Sequence, residues 1–230
     1  MVTLNIAHRG GRGLEPENTL RAFSRAAGYG ADGIEFDVQR TSDGKPVVFH
    51  DSDLERTTGC KGLLKDITFR DLQKLDAGGG ERVPLLEETL KLMSRHELIL
   101  LIELKNPEIY PGIEEQVCRL VTSHYNPDLV RIVSFSAESL EIFKRLAPSI
   151  RLVRNYRFNM PAKSEFYSAA SMDARNLLFF PWRVKIYRRH CSELYVWNVN
   201  SIGTMRHFIK SGIDGIITDF PDRLARVLRK

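Results

Sequence analysis

Seven side chains in the first half of this 230-residue chain have the types and spacing to do chemistry: His8, Arg9, Glu35, Asp37, His50, Glu103 and Lys105. His8 and Arg9 follow the apolar run Leu4-Asn5-Ile6-Ala7. Glu35 and Asp37 sit inside Gly33-Ile34-Glu35-Phe36-Asp37-Val38, and His50-Asp51 ends Pro46-Val47-Val48-Phe49. Imidazoles, carboxylates and an arginine are costly on strands unless they line a polar site. Glu35 and Asp37 are two apart, so on a strand both carboxylates point to one side. Glu103 and Lys105 repeat that spacing at the end of Leu98-Ile99-Leu100-Leu101-Ile102. A single carboxylate is ordinarily paired with a nearby arginine or lysine. Three from neighbouring strand ends instead make a hard oxygen site suited to Mg²⁺ or Ca²⁺. Two imidazoles flanking such a site can divide general-base and general-acid work near neutral pH. Arg9 and Lys105 add the positive charge that suits a phosphate oxyanion. The residues by themselves spell metal-assisted phosphoryl chemistry. His96, His124, His190 and His207 lie in helical or surface-like stretches without carboxylates at ligand spacing, and are expected to be structural.

The elements that must hold these groups alternate between strand and helix along the whole chain. Strands are expected at Leu4 to Ala7, Gly33 to Val38, Pro46 to His50, Leu98 to Leu104, Leu129 to Phe135, Arg151 to Arg154, Leu177 to Phe180, Leu194 to Val199 and Gly215 to Thr218. The run from Leu98 is continuously apolar, as a strand buried on both faces of a parallel sheet must be. Helical signals fall between. Asn18 or Thr19 caps one helix, which Gly28 or Gly30 stops. Leu86 to Arg95 and Ile113 to His124 carry helical periodicity, and Ser201 caps a last helix ending at Gly212. Gly30-Ala31-Asp32-Gly33-Ile34 and Gly212-Ile213-Asp214-Gly215-Ile216 look like equivalent helix-to-strand turns. Only residues 39–45 join Val38 to Pro46, too few for a parallel crossover, and Asp43-Gly44 is a hairpin signal. The segment ending at His50 is therefore an antiparallel excursion after the second strand, and eight parallel strands remain for a closed (β/α)₈ barrel. With no linker in the sequence, residues 1–230 read as a single domain. In this architecture catalytic groups come from the C-terminal ends of the strands, where these residues fall.

Composition narrows the class. With 43% hydrophobic and 27% charged residues the chain is ordinary for a globular protein. Its net charge of +5 comes from scattered basic residues, which argues against nucleic acid. Cys60, Cys118 and Cys191 are too few and too far apart for a disulfide framework or a zinc site, and fit a reducing compartment. No leader, membrane span or amphipathic membrane-docking segment is apparent, so a cytoplasmic protein without stable membrane insertion, monomeric or homodimeric, is expected.

Ten short motifs then occur in order from residue 6 to residue 222. They are His8-Arg9-Gly10, Pro16-Glu17-Asn18-Thr19, Glu35-Phe36-Asp37, Thr41-Ser42-Asp43-Gly44, His50-Asp51, Arg56-Thr57-Thr58, Glu103-Leu104-Lys105, Ser134-Phe135, Trp197-Asn198-Val199-Asn200 and Thr218-Asp219-Phe220-Pro221. Each is weak alone. As an ordered set they make the chain resemble the glycerophosphodiester phosphodiesterase family. The resemblance implies a distorted TIM barrel that hydrolyses a small glycerophosphodiester to glycerol 3-phosphate and an alcohol. By position it makes Glu35, Asp37 and Glu103 the metal ligands, His8 and His50 the acid/base pair, and Arg9 and Lys105 phosphate contacts. Glu17 matches an acidic residue beside the site that orients ligands or arginines. Trp197 fits either an aromatic wall at the mouth or a tryptophan buried in a barrel strand.

Two departures stand out. The family commonly has Trp-Thr-Val-Asn where this chain has Trp197-Asn198-Val199-Asn200, and Asn198 is expected to face away from the metal. The stretch from Tyr156 to Arg183, with Phe158, Phe166, Tyr167 and Trp182, matches no family pattern and bears on leaving-group choice. The same set of groups would also serve a phospholipase D-like phosphodiesterase or lyase acting on lysophospholipids. A catalytically silent phosphate-binding barrel is a third reading, although no member of the set is missing.

Overall fold

The computed structural model describes residues 3–158 and 169–229. Nine strands occur among them: β1 Leu4–His8, β2 Gly33–Arg40, β3 Pro46–Val48, β4 Ile99–Leu104, β5 Val130–Ser134, β6 Arg151–Tyr156, β7 Ala169–Asp173, β8 Glu193–Trp197 and β9 Gly215–Thr218. Eight form a closed ring in the order β1-β9-β8-β7-β6-β5-β4-β2, with β1 and β2 pairing to complete it. All of the ring pairings are parallel. β3 pairs antiparallel with β2 outside the ring, Val38 opposite Val48, as the short Asp43-Gly44 connection requires. Thr41 closes that turn, its N–H donating to the Lys45 carbonyl (3.1 Å) and its hydroxyl to Asp43 (2.7 Å).

The core is layered as a barrel demands. Ile6, Leu101, Val133, Val153, Tyr195 and Ile217 fill the interior beneath the strand ends. Phe36, Val38, Leu100, Ile102 and Ile132 face outward against helices that include Leu86–Met93 and Ile113–His124. The excursion after β3 has its own small core around Val47, Phe49, Leu54, Leu64 and Leu72.

The two look-alike turns do equivalent work. Gly30 and Gly212 both adopt positive φ (78° and 71°). The Asp32 carboxylate then accepts from the Asn5 N–H (2.7 Å), and the Asp214 carboxylate from the Leu194 N–H (2.6 Å). Each aspartate thus ties the start of its own strand to a neighbouring one. A Cβ on Gly33 would meet the Ile99 carbonyl at 2.5 Å, and one on Gly215 the Tyr195 ring at 2.4 Å. Helix Leu20–Ala26 is capped by the Thr19 hydroxyl rather than by Asn18.

One strand differs from expectation. Leu177 to Phe180 is not a strand. It belongs largely to the helix Ala174–Phe179, and the seventh ring strand is Ala169-Ala170-Ser171-Met172-Asp173. The apolar run reads as a strand because all of its residues are large, yet only Leu177 is fully buried while Phe179 is 71% exposed. The true strand has no β-branched residue, so its propensity is weak. Its small side chains fit where neighbouring strands crowd the barrel. Phe166 and Tyr167 lie outside the described residues.

Candidate active site

Strand register brings the polar groups together. His8 pairs with Glu35 across β1 and β2, and Asp37 with Glu103 across β2 and β4. The carboxylates of Glu35, Asp37 and Glu103 are all buried, with ligand atoms within 4.8 Å of one another. His8, Arg9, Glu35, Asp37, His50, Glu103 and Lys105 line one cavity at the C-terminal ends of the strands. Phe135, Asn155, Arg157, Ser171, Trp197 and Asn198 complete its wall. The remaining histidines lie elsewhere.

The three carboxylates, the two imidazoles, Arg9 and Lys105 are each held by a further residue. The Arg9 N–H donates to Glu35 (3.2 Å), the Asn18 amide to Asp37 (3.0 Å) and the Asn155 amide to Glu103 (3.1 Å). Arg9 itself adopts φ 51°, a left-handed conformation costing roughly 1–2 kcal/mol outside glycine. Its guanidinium donates to Glu17 (2.8 Å) and lies 3.3 Å from Asp37, which fixes it in place. Glu17 also takes both ends of Arg56 (2.6 and 2.9 Å) and does not line the cavity. Its carboxylate orients arginines. Lys105 reaches Glu103 (2.9 Å), Asp37 (3.7 Å) and the His50 Nε2 (3.2 Å).

Both imidazoles are anchored through Nδ1. His8 Nδ1 lies 2.6 Å from Asp219, whose carboxylate also accepts from Arg12 (2.9 Å) and Asn200 (2.7 Å). His50 Nδ1 lies 2.6 Å from Asp51, which in turn holds Arg56. A proton on each Nδ1 donated to its carboxylate leaves Nε2 as the nitrogen with a lone pair. Asn198 departs from the sequence expectation, because its amide lies 2.6 Å from His8 and lines the cavity. β8 ends at Trp197, so side-to-side alternation no longer governs the next residue; the Trp197–Asn198 peptide is cis. Trp197 sits edge-on to Phe135 (centroids 6.1 Å apart), and its buried indole N–H has no hydrogen-bond partner among the described residues. It is therefore part of the wall at the mouth.

The electrostatics fit a cation. Burial holds Glu35 well above the ordinary carboxylate range, and the charges of Asp37 and Glu103 push the same way. Glu103 is also raised, by burial first. Burial opposes ionisation of Asp37 too, but Arg9 and Lys105 outweigh it and bring that group below its usual value. Three carboxylates in contact with two cationic side chains, Arg9 and Lys105, leave a local negative excess, the cavity's third cation, Arg157, lying instead over Phe135. Hard oxygen donors with such an excess are what a divalent cation requires. Burial lowers both His8 and His50 below the ordinary imidazole value.

The glycerophosphoryl diester phosphodiesterase family matches residues 8–223, and the chain belongs to it. A glycerophosphodiester phosphodiesterase of Caldanaerobacter subterraneus subsp. tengcongensis is 39% identical, the alignment covering 100% of this chain and 99% of that relative. One from Bacillus altitudinis is 37% identical over 98% of each. Among solved structures, an Oleispira antarctica phosphodiesterase in complex with the product sn-glycerol-3-phosphate has a TM-score of 0.88 at 27% identity, covering 100% of this chain and 98% of that one. An Agrobacterium tumefaciens glycerophosphodiester phosphodiesterase has a TM-score of 0.82 at 28% identity, covering 98% and 100%.

Sequence reasoning missed Asp219, Asn198, Asn155 and Asp51 as working parts of the site. Asp219 lies 211 residues from His8 and meets it only because β9 pairs with β1. Its carboxylate is held well below the ordinary range. Burial opposes this, but the bonds from His8 and Arg12 prevail. Asp219→Asn keeps the shape and removes the charge that sets the His8 tautomer. It is expected to lower turnover roughly 10- to 100-fold with little change in KM. Unchanged kcat would mean that Asp219 does not orient His8.

Proposed function

We propose that the chain, acting as a single barrel domain, hydrolyses small glycerophosphodiesters to glycerol 3-phosphate and an alcohol. The observation that carries this is the convergence of three buried carboxylates, two carboxylate-anchored imidazoles and the cationic side chains of Arg9 and Lys105 in one cavity. Support comes from family membership and from the product held by the structurally similar Oleispira phosphodiesterase. Glu35, Asp37 and Glu103 would hold a divalent cation, Mg²⁺ or Ca²⁺, which when bound supplies Lewis-acid stabilisation of charge on a phosphate oxygen.

The chain's own residues do the rest. Arg9 and Lys105 bind the phosphate oxygens as fixed positive charges, Arg9 locked by Glu17 and Lys105 by Glu103. One imidazole Nε2 takes the proton of the attacking oxygen, and the other returns a proton to the departing alkoxide. Asp219 and Asp51 steady whichever ring carries the extra proton, the acid before the transfer and the base after it. Trp197 and Phe135 cover one side of the cavity and keep water from the leaving oxygen. The attacking oxygen is either water or the substrate's own glycerol 2-hydroxyl, which would gain the proximity of an intramolecular reaction and give a cyclic phosphate first.

Release of glycerol 3-phosphate from glycerophosphocholine, glycerophosphoethanolamine and glycerophosphoglycerol, each with Mg²⁺, Ca²⁺ or chelator, tests the reading. Metal-dependent release from at least one is expected. Silence on all three by a folded, metal-loaded protein would overturn it. A substrate lacking the 2-hydroxyl separates the two routes, since inertness of that analogue assigns attack to the internal hydroxyl.

A further inference from the structure

The surface beyond β6 and β7, at the same end of the barrel, is aromatic and basic. Phe158 is 49% exposed, Trp182 57% and Phe179 71%. Rings this large are seldom left in water together without a partner. Contacts join Phe158 to Trp182 by way of Arg183 and Phe180, and Phe179 is the chain neighbour of Phe180. The Arg175 guanidinium lies over the Phe158 ring (5.9 Å), Arg183 over Phe180 (4.4 Å), and Phe180 meets Trp182 edge-on (5.1 Å). Arg183 also donates to the Phe158 carbonyl (3.0 Å). The patch runs up to the cavity, because Arg157, next to Phe158, lines it and lies over Phe135 at 5.3 Å.

Charge identifies the occupant. Residues 174–190 contain five arginines and lysines and no aspartate or glutamate. Asp173 pairs with Arg175 and Asp214 with Arg188, while Lys185 and Arg189 stand exposed one to two turns beyond Trp182. A second copy meeting this face with its own would bring like charges together. Aromatic rings flanked by the exposed cations Lys185 and Arg189 match the boundary of an anionic bilayer, where rings sit at headgroup level and cations meet phosphates. We propose that this face docks peripherally on anionic phospholipid, with Phe179 and Trp182 entering the interface and Lys185 and Arg189 on the headgroups. The sequence conceals this segment because its apolar run reads as a buried strand. The inference goes beyond the hydrolytic reading and does not depend on it.

The test is co-sedimentation of the whole chain with phosphatidylcholine vesicles, with and without phosphatidylglycerol, alongside tryptophan fluorescence. Partitioning onto the anionic vesicles, a blue-shifted emission from Trp182 and weakening by salt are expected. The double variant Phe179→Ser/Trp182→Ser should partition roughly a hundredfold more weakly, as loss of two interfacial rings implies. Lys185→Glu/Arg189→Glu should weaken it by roughly tenfold or more. Both variants should keep the wild-type melting temperature and the wild-type rate on a water-soluble glycerophosphodiester. Failure of the wild type to sediment with anionic vesicles, or an aromatic variant that sediments like it, would overturn the proposal. A wild-type dimer that the aromatic variant abolishes, without lipid binding, would assign the face to a second copy instead.

Discussion

Glu35→Gln is expected to abolish stoichiometric divalent metal and to lower glycerol 3-phosphate release by roughly a thousandfold or more, the scale of losing a Lewis acid and its charge stabilisation together. The substitution is nearly isosteric, so the Arg9 N–H that now donates to Glu35 keeps an acceptor in the amide oxygen. What changes is charge. Asp37 and Glu103 alone are balanced by Arg9 and Lys105, which already lie against them. The negative excess that draws a cation disappears. The same residue dictates a pH effect. Burial raises the Glu35 carboxyl in the folded, metal-free protein, so its contribution to stability is full at low pH and is lost as pH rises through that raised value. A bound cation restores what ionisation removes. Addition of Mg²⁺ or Ca²⁺ should therefore raise the wild-type melting temperature more at about pH 8 than at about pH 5.5, and should leave Glu35→Gln unmoved at both. Full metal stoichiometry in Glu35→Gln, measured by atomic emission, would remove Glu35 from the ligand set.

The part of this site legible in the sequence is the part built from one rule. Polar groups that interrupt or end apolar strands must face something, so His8, Glu35, Asp37, His50, Glu103 and Lys105 could be picked out without knowing their partners. The hairpin excursion was equally legible, because a seven-residue connection cannot reverse over a sheet. What the sequence hides depends on ring closure. Asp219 orients His8 only because the last strand lies beside the first, and no local pattern carries that information. Asn198 was misplaced by extending strand alternation one residue past the end of β8. β7 was missed for a related reason. The barrel pays for its weak Ala-Ala-Ser sequence with hydrogen bonds to β6 and β8, while the more strand-like run beyond it coils into a helix capped by Asp173. Glu17 shows the opposite case. Its motif marked it, yet only the geometry shows that it bridges Arg9 and Arg56 rather than facing the cavity.

His8→Ala and His50→Ala should each lower turnover by roughly a hundredfold or more, and the two losses should respond differently to the leaving group. Burial keeps both imidazoles below their ordinary value, so the one that acts as acid must take up a proton from solvent as the anionic phosphate enters the cavity. They differ in their surroundings. His8 Nε2 lies 3.8 Å from Glu35, whereas His50 Nε2 faces the Lys105 ammonium at 3.2 Å. A carboxylate beside Nε2 favours the protonated ring and a lysine opposes it. The acid must deliver a proton to the departing alkoxide, so its loss matters only while the leaving group is a poor one. A glycerophosphodiester carrying an activated phenol leaves without help. On that substrate the variant lacking the acid should recover most of the lost rate, and the variant lacking the base should not. The Asp219 carboxylate favours the protonated ring at His8 and the Lys105 ammonium opposes it at His50, so His8 is expected to be the acid and His50 the base, with rescue therefore expected for His8→Ala. Rescue of His50→Ala alone would reverse the roles, and rescue of both or of neither would show that the two imidazoles do not divide the proton transfers. Near-wild-type turnover on glycerophosphocholine by either variant would remove that histidine from the mechanism altogether.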